Sequence, residues 1–279
     1  MIYVMSDIHG CYKEYLKALK KIDFKDEDQL YVLGDMIDRG DEPIQLLLDM
    51  MSRHNVFPLL GNHEYMALSV LRKLCVEITE ENVESHLSEE DMINYITWME
   101  NGGNTTIEQF KKLTKEEQED ILDYLEECLL IEEMNVNGND YVLVHAGLEP
   151  FDENKDVFDY RLDELIFKSP NYQKQYFKNK YLITGHTPTV ALDLSKKGEI
   201  IELNHHIAID CGCVFGLNLG VFCLENHKKY YWWLFYAFSA LAVMAKGIPG
   251  FVVPFGSMFF VSIVSSSKLD PILSHQSAQ

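Results

Sequence analysis

Six residues that ligate metals through oxygen or nitrogen each follow a short apolar run: Asp7, His9, Asp35, Asn62, His145 and His186. Together they offer carboxylate oxygen, amide oxygen and imidazole nitrogen, with no thiolate. Such a set suits borderline divalent metals such as Mn, Fe or Zn and disfavours calcium cages and sulfur sites. Asp7 and His9 are two apart, so on an extended segment their side chains point the same way. Two carboxylates and three histidines exceed the needs of one tetrahedral metal, and a two-metal centre sharing Asp35 uses them better. Each residue alone has a plainer role. A lone His145 is as readily a hydrogen-bonded structural residue, Asp38-Arg39 a salt bridge in a turn, and Asn62 a turn former. The recurrence of such clusters at one run end after another favours a shared site.

The elements that must position them are legible as a pattern. Apolar runs at 2–5, 30–33, 56–60, 141–144, 181–184 and 207–209 end in polar clusters, the last in Asp210-Cys211-Gly212. Continuous runs of that length fit strands buried on both faces. Residues 12–21 and 43–53 carry apolar side chains at helical spacing, the second opening with a proline. The alternation predicts an α/β layered fold of β-sheets flanked by helices. In such folds ligands bind beyond the carboxyl ends of strands, where these clusters fall.

Two stretches differ from this frame. Residues 76–133 hold 18 Asp/Glu against 3 Lys/Arg, which is −15 of the chain's net −20. Ser88-Glu89-Glu90-Asp91 and Thr114-Lys115-Glu116-Glu117 read as capping boxes, and Leu122, Leu125, Leu129 and Leu130 as one apolar helix face. The reading is a helical insertion with an acidic outer surface, set within a domain at 1–230. From 231 to 279 the chain is an apolar tail, uncharged over 232–245 and 251–264. Each half is short of the roughly 20 residues a spanning helix needs. Membrane association through 231–264, a buried terminal element and a non-native end all remain open, Lys228-Lys229 placing the domain on the cytoplasmic side in the first case.

A net charge of −20 leaves no general electrostatic footing on nucleic acid. The six cysteines form no C-x-x-C pair and fit reduced thiols. Met1 runs straight into an apolar run with no signal segment before it, which suggests a cytoplasmic catalytic domain. Asn104-Thr105-Thr106 matches a glycosylation acceptor only by chance in that setting.

Asp7-Ile8-His9-Gly10, Gly34-Asp35-Met36-Ile37-Asp38-Arg39-Gly40, Gly61-Asn62-His63-Glu64, His145-Ala146-Gly147 and Gly185-His186 resemble, in order, the signature of the phosphoprotein-phosphatase branch of the calcineurin-like metallophosphoesterases. The resemblance covers roughly residues 1–226. Trp98 with Asn101-Gly102-Gly103-Asn104-Thr105, and Gly185-His186-Thr187-Pro188-Thr189, are most similar to the small bacterial and phage serine/threonine phosphatases. Symmetrical dinucleoside-tetraphosphatases (Ap4A hydrolases) share the first motifs and are the alternative.

The resemblance implies a metallophosphoesterase-type layered fold and two divalent cations, with manganese first and iron or zinc behind it. Asp7, His9 and Asp35 would hold one metal, and Asp35, Asn62, His145 and His186 the other. A metal-bridging hydroxide would attack phosphorus in line. Arg39 and Arg161 would bind phosphate oxygens, with Asn62 beside them. His63 would protonate the leaving group with Asp38 orienting it, while Glu64 would be structural. Arg161 departs from the pattern, since Asp159 stands where the family carries tryptophan. The main reading is a phosphoserine/phosphothreonine protein phosphatase whose partner is a phosphorylated protein or peptide.

Overall fold

The computed structural model describes residues 1–76 and 88–233. The first sheet is built from β1 (Ile2–Met5), β2 (Gln29–Val32), β3 (Val56–Pro58), β9 (Asn218–Cys223) and β10 (Lys229–Trp233) in the order β10-β9-β1-β2-β3. The second holds β4 (Ile131–Val136), β5 (Asn139–Val144), β6 (Lys180–Thr184), β7 (Ile201–Leu203) and β8 (His206–Ala208) in the order β4-β5-β6-β8-β7. Each sheet contains three mutually parallel strands, β1-β2-β3 and β5-β6-β8, with antiparallel strands outside them. The carboxyl ends of both parallel sets therefore emerge on one side of each sheet.

Period-two alternation sorts each strand's apolar residues into separate cores. Val4 of β1 packs between the sheets with Leu33, Tyr141, Leu143, Ile183, Ile207 and Phe222. Its neighbours Tyr3 and Met5 face the other way, into a core shared with α1 (Tyr12–Ile22), α2 (Pro43–Met51) and α3 (Asn62–Cys75). Val142 and Val144 of β5 face a third core, closed by α7 (Leu162–Ile166) and Tyr176. The result is helix, sheet, sheet, helix: the layered α/β fold with helices flanking two mixed sheets. In α1, Tyr15, Ala18, Leu19 and Ile22 are buried at helical spacing. Pro43 opens α2, where its missing N–H costs nothing.

Between α3 and β4 lie α4 (Glu89–Glu100), α5 (Asn104–Phe110) and α6 (Lys115–Glu126). Ser88 and Thr114 cap α4 and α6, each accepting the backbone N–H three residues on. The apolar face of α6 is shorter than the leucine spacing suggests. Leu122 and Leu125 are buried, but the helix ends at Glu126 and Leu129 forms a parallel bridge with Leu59. Sheet pairing there outweighs helical periodicity. On the outer side, Arg72 of α3 donates to Glu119, Asp123 and Glu126 along α6.

Tyr231, Trp232 and Trp233, read from sequence as the start of the tail, belong to β10 and pair with Gly220, Leu219 and Asn218 of β9. The rest of the apolar tail, and with it the reading of 231–264 as a membrane segment, lies outside the described residues. Among the described residues no helix is long and apolar enough to cross a membrane.

Leu143 is fully buried between the sheets, so Leu143→Ala leaves a cavity in the layer that aligns the strand ends. We expect a loss of about 2–5 kcal/mol, read as a lowered urea midpoint at unchanged slope.

Candidate metal centre and phosphate site

Every site residue leaves the end of an element. Asp7 and His9 follow β1, Asp35 to Arg39 follow β2, and Asn62 and His63 open α3 after β3; His145 follows β5 and His186 follows β6. The turns there are sharp. Six of these residues, Asp7, His9, Asp35, Asp38, Arg39 and His186, adopt left-handed φ values between 46° and 69°. That conformation is strained for side-chain-bearing residues and concentrates where a site demands it. Gly34 has φ 78°, and a Cβ there would meet Gly61 at 2.6 Å and His145 Nδ1 at 2.8 Å. The β2 turn thus needs glycine both for its backbone and for its close approach to the next two ligands.

The side chains converge in two groups that share Asp35. Ligand atoms of His9, Asp35 and His63 lie within 4.8 Å of one another, as do those of Asp35, His145 and His186. Asp35 Oδ2 faces His9 Nε2 at 3.7 Å, while Oδ1 faces His145 Nε2 at 3.4 Å. Asn62 Oδ1 sits 3.0 Å from both His145 Nε2 and His186 Nδ1. Backbone carbonyls set the tautomers: His9 Nδ1 meets Ile37 O at 2.9 Å and His145 Nδ1 meets Leu33 O at 2.6 Å. With those nitrogens donating, both Nε2 lone pairs point inward. Around Asp35 Oδ1, Asn62 Oδ1 and His145 Nε2, acceptors therefore crowd one another, an arrangement that a cation relieves. Asp7 lies beside these groups, its carboxylate taking the His186 N–H at 3.0 Å and the Ser6 hydroxyl.

Electrostatics points the same way. Burial pushes the Asp7 and Asp35 carboxyls well above the usual carboxylate range, Asp210 repulsion adding at Asp7 and Asp7 repulsion at Asp35. Burial also holds His9 and His145 well below the ordinary imidazole range and lowers His186. Neutral imidazoles keep their lone pairs, and crowded carboxylates gain from a divalent cation. The residues fit a metal pair.

Arg39 and His63 form the other half of the site. Arg39 Nη1 reaches His9 Nε2 at 2.8 Å and Nη2 reaches His63 Nε2 at 2.9 Å. Asp38 Oδ2 accepts His63 Nδ1–H at 2.7 Å, which leaves Nε2 facing the site. The acidic insertion holds this dyad. Trp98 Nε1 donates to Asp38 Oδ2 at 2.8 Å; Thr106 Oγ1 donates to Asp38 Oδ1 at 2.6 Å and accepts the Asp38 N–H at 3.0 Å. Gly102 O accepts the Arg39 N–H, and Asn101 O accepts from its Nε. Burial pushes Asp38 up to about 7, and those two side-chain bonds oppose it.

Glu64 lies just behind Asp35, its charge adding to the upward push on that carboxyl. Its carboxylate accepts the N–H groups of Asp35, Met36, Ile37 and Gly61 and so ties the β2 turn to α3. Arg161 bonds no residue of the donor groups: it is 68% exposed and donates to Asp163 at 2.8 Å. With Asp159 in the place of the family's tryptophan, its own helix supplies the nearest acids. Asp210 was assigned no role by sequence, though it too ends an apolar run; it is 3% exposed, accepts Gly212 N–H at 2.8 Å and lies near Asp7. Trp98 carried a family likeness without a role, and Thr106 carried no signal.

The pattern of the calcineurin-like phosphoesterases matches residues 1–190. The symmetrical bis(5'-nucleosyl)-tetraphosphatase of Buchnera aphidicola subsp. Schizaphis graminum (strain Sg) is 32% identical over 114 residues, 40% of this chain and 42% of that protein. The asymmetrical bis(5'-nucleosyl)-tetraphosphatase PrpE of Geobacillus sp. (strain WCH70) is 27% identical over 249 residues, 79% of this chain and 89% of that protein. A crystal structure that its description proposes as a diadenosine tetraphosphatase superposes with TM-score 0.55 at 17% identity, over 83% of this chain and 92% of that one. That likeness concerns the fold alone. The match to the Buchnera protein spans less than half of its length. The expectation of a phosphorylated protein or peptide partner is corrected here, because these curated relatives are named for dinucleoside tetraphosphates.

Trp98→Phe with Thr106→Val removes the two hydrogen bonds that the insertion donates to the Asp38 carboxylate, leaving that of His63, while keeping most of the volume. We expect unchanged metal content and a kcat about tenfold lower or worse, as for bonds to a charged group. Metal analysis beside turnover of an alkyl phosphate checks this; an unchanged kcat refutes it.

Proposed function

This chain belongs to the calcineurin-like phosphoesterases, and within that family we propose that it is a metal-dependent hydrolase of dinucleoside tetraphosphates. The observation that carries the chemistry is Asp35 standing between two donor groups, one oxygen toward each. The substrate class is supported by relatives of that name, one of them matched over most of both chains.

Asp7, His9 and Asp35 would hold one cation, and Asp35, Asn62, His145 and His186 the other. The bound metals supply positive charge toward phosphate oxygens and acidify water for attack on phosphorus. The chain does the rest. The Arg39 guanidinium, whose Nη1 and Nη2 lie on His9 Nε2 and His63 Nε2, would turn both donors to phosphate oxygens in the bidentate manner that lysine cannot. Burial and Arg39 hold the His63 ring down to about 3, so His63 would first take a proton at Nε2 as Arg39 turns from it to phosphate, and would then pass that proton to the departing phosphate oxygen. Asp38 fixes its tautomer through Nδ1 and stabilises the cationic ring. Symmetrical cleavage would release two nucleoside diphosphates, and asymmetrical cleavage a triphosphate and a monophosphate.

The test is incubation of the metal-loaded protein with diadenosine tetraphosphate and, separately, with a phosphoserine peptide, with products resolved by chromatography. Turnover of the dinucleotide supports the reading, and ADP against ATP plus AMP assigns the cleavage symmetry. Turnover of the peptide alone overturns it. Asp35→Asn should lose metal and activity together. His63→Ala should keep its metal and slow by about 10²–10⁴-fold, the range for general acid catalysis; loss of metal there would mean that His63 is a ligand instead.

A further inference from the structure

Exposed aromatic rings adjoin both ends of the donor cluster. Phe215 is 60% exposed and ends a one-turn helix at Cys213–Phe215 that is bracketed by Gly212 and Gly216, both left-handed at φ 74° and 75°. Its ring centroid lies 5.8 Å from the Arg39 guanidinium carbon, on the side of His9 and His63. On α3, Tyr65 is 40% exposed. It meets Phe167, 43% exposed, edge to face with centroids 6.0 Å apart. The Phe167 carbonyl faces the His186 ring. One aromatic surface is thus tied to the His9–His63 end and one to the His186 end.

Rings that a fold leaves open to water beside a phosphate-binding guanidinium have a specific use. A nucleobase stacks on the ring while its phosphate meets the arginine. A ligand with a base at each end of a polyphosphate would use both surfaces at once. We propose that Phe215 and the Tyr65–Phe167 pair are the two base-stacking platforms of this site. The assignment rests on the dinucleotide reading for its substrate and on the geometry above for its residues. Both platforms are sequence-tolerant, since every base has a π-face; they select for nucleotides over simple phosphate esters, not for adenine over guanine.

The experiment compares Phe215→Leu and Tyr65→Leu, which keep apolar bulk without a π-face, with Phe215→Trp, which restores one. Two quantities are measured on the metal-loaded protein: KM and kcat for diadenosine tetraphosphate, and the inhibition of p-nitrophenyl phosphate hydrolysis by AMP and by inorganic phosphate. We expect each leucine variant to raise the dinucleotide KM about tenfold with kcat within about threefold, and Phe215→Trp to bring it back. AMP should inhibit the wild type more tightly than inorganic phosphate, an advantage that Phe215→Leu removes. Unchanged KM values overturn the proposal. So does a fall in kcat shared by both substrates, which would make Phe215 a prop for Arg39. If the wild type does not turn over diadenosine tetraphosphate, the functional reading falls and the AMP comparison still decides the platform: AMP no tighter than phosphate overturns it.

Discussion

Two carboxylates, Asp7 and Asp35, are buried close enough to repel each other, and the rest of the site answers to that constraint. Desolvation pushes both toward holding a proton, Asp210 adding to it at Asp7 and Asp7 at Asp35. The imidazoles around them are pressed the opposite way, toward neutrality, by the same burial. Arg39 is the cation that opposes the carboxylate shifts, and one guanidinium does not balance two buried carboxylates with Asp210 behind them. Divalent cations reconcile both tendencies, because they stabilise ionised carboxylates and take lone pairs from neutral rings. The chemistry of the family follows from a packing that would otherwise be electrostatically costly.

Holding that packing shapes the backbone. Three parallel strands in each sheet end on the site side, and the core between the sheets keeps those ends in register. The turns that follow are left-handed at six side-chain-bearing positions, each of order 1 kcal/mol or more unfavourable. Glu64 compensates for part of this: four backbone N–H groups from two separate segments converge on one carboxylate. Gly34 allows the Asp35 turn to lie against Gly61 and His145. Strain at the ligands is thus carried by hydrogen bonds and packing just behind them.

The acidic insertion has two faces with different duties. Its outer side carries the carboxylates that gather on Arg72. Its inner side supplies Trp98, Thr106 and the loop carbonyls that hold Asp38 and Arg39. Only with divalent cations bound beside Arg39 would this strongly anionic protein present a locally positive well to phosphate oxygens. Net charge excludes coating of nucleic acid and is silent about a pocket a few ångströms across, since charges beyond a Debye length are screened.

The layered α/β class, the strand ends and the donor residues that stand there were legible in the sequence because they rest on local periodicity and on residue type. Buried strands read as apolar runs, and donors such as Asp35 and His145 stand directly after them. Three features were not legible, each for a tertiary reason. Leu129 left the helix that its spacing suggested because a strand partner, Leu59, was available in space. Arg161 turned to the acids of its own helix, a competition that a motif does not register. Trp98 and Thr106 reach Asp38 across more than fifty residues of chain, and no periodicity encodes such a meeting. What the sequence alone determined was the inventory of donors and the elements that carry them. Only the tertiary structure decided that one carboxylate, Asp35, stands between two donor groups and that the insertion grips Asp38 beside His63, because both depend on distances set by the packing of two sheets and a helical cap.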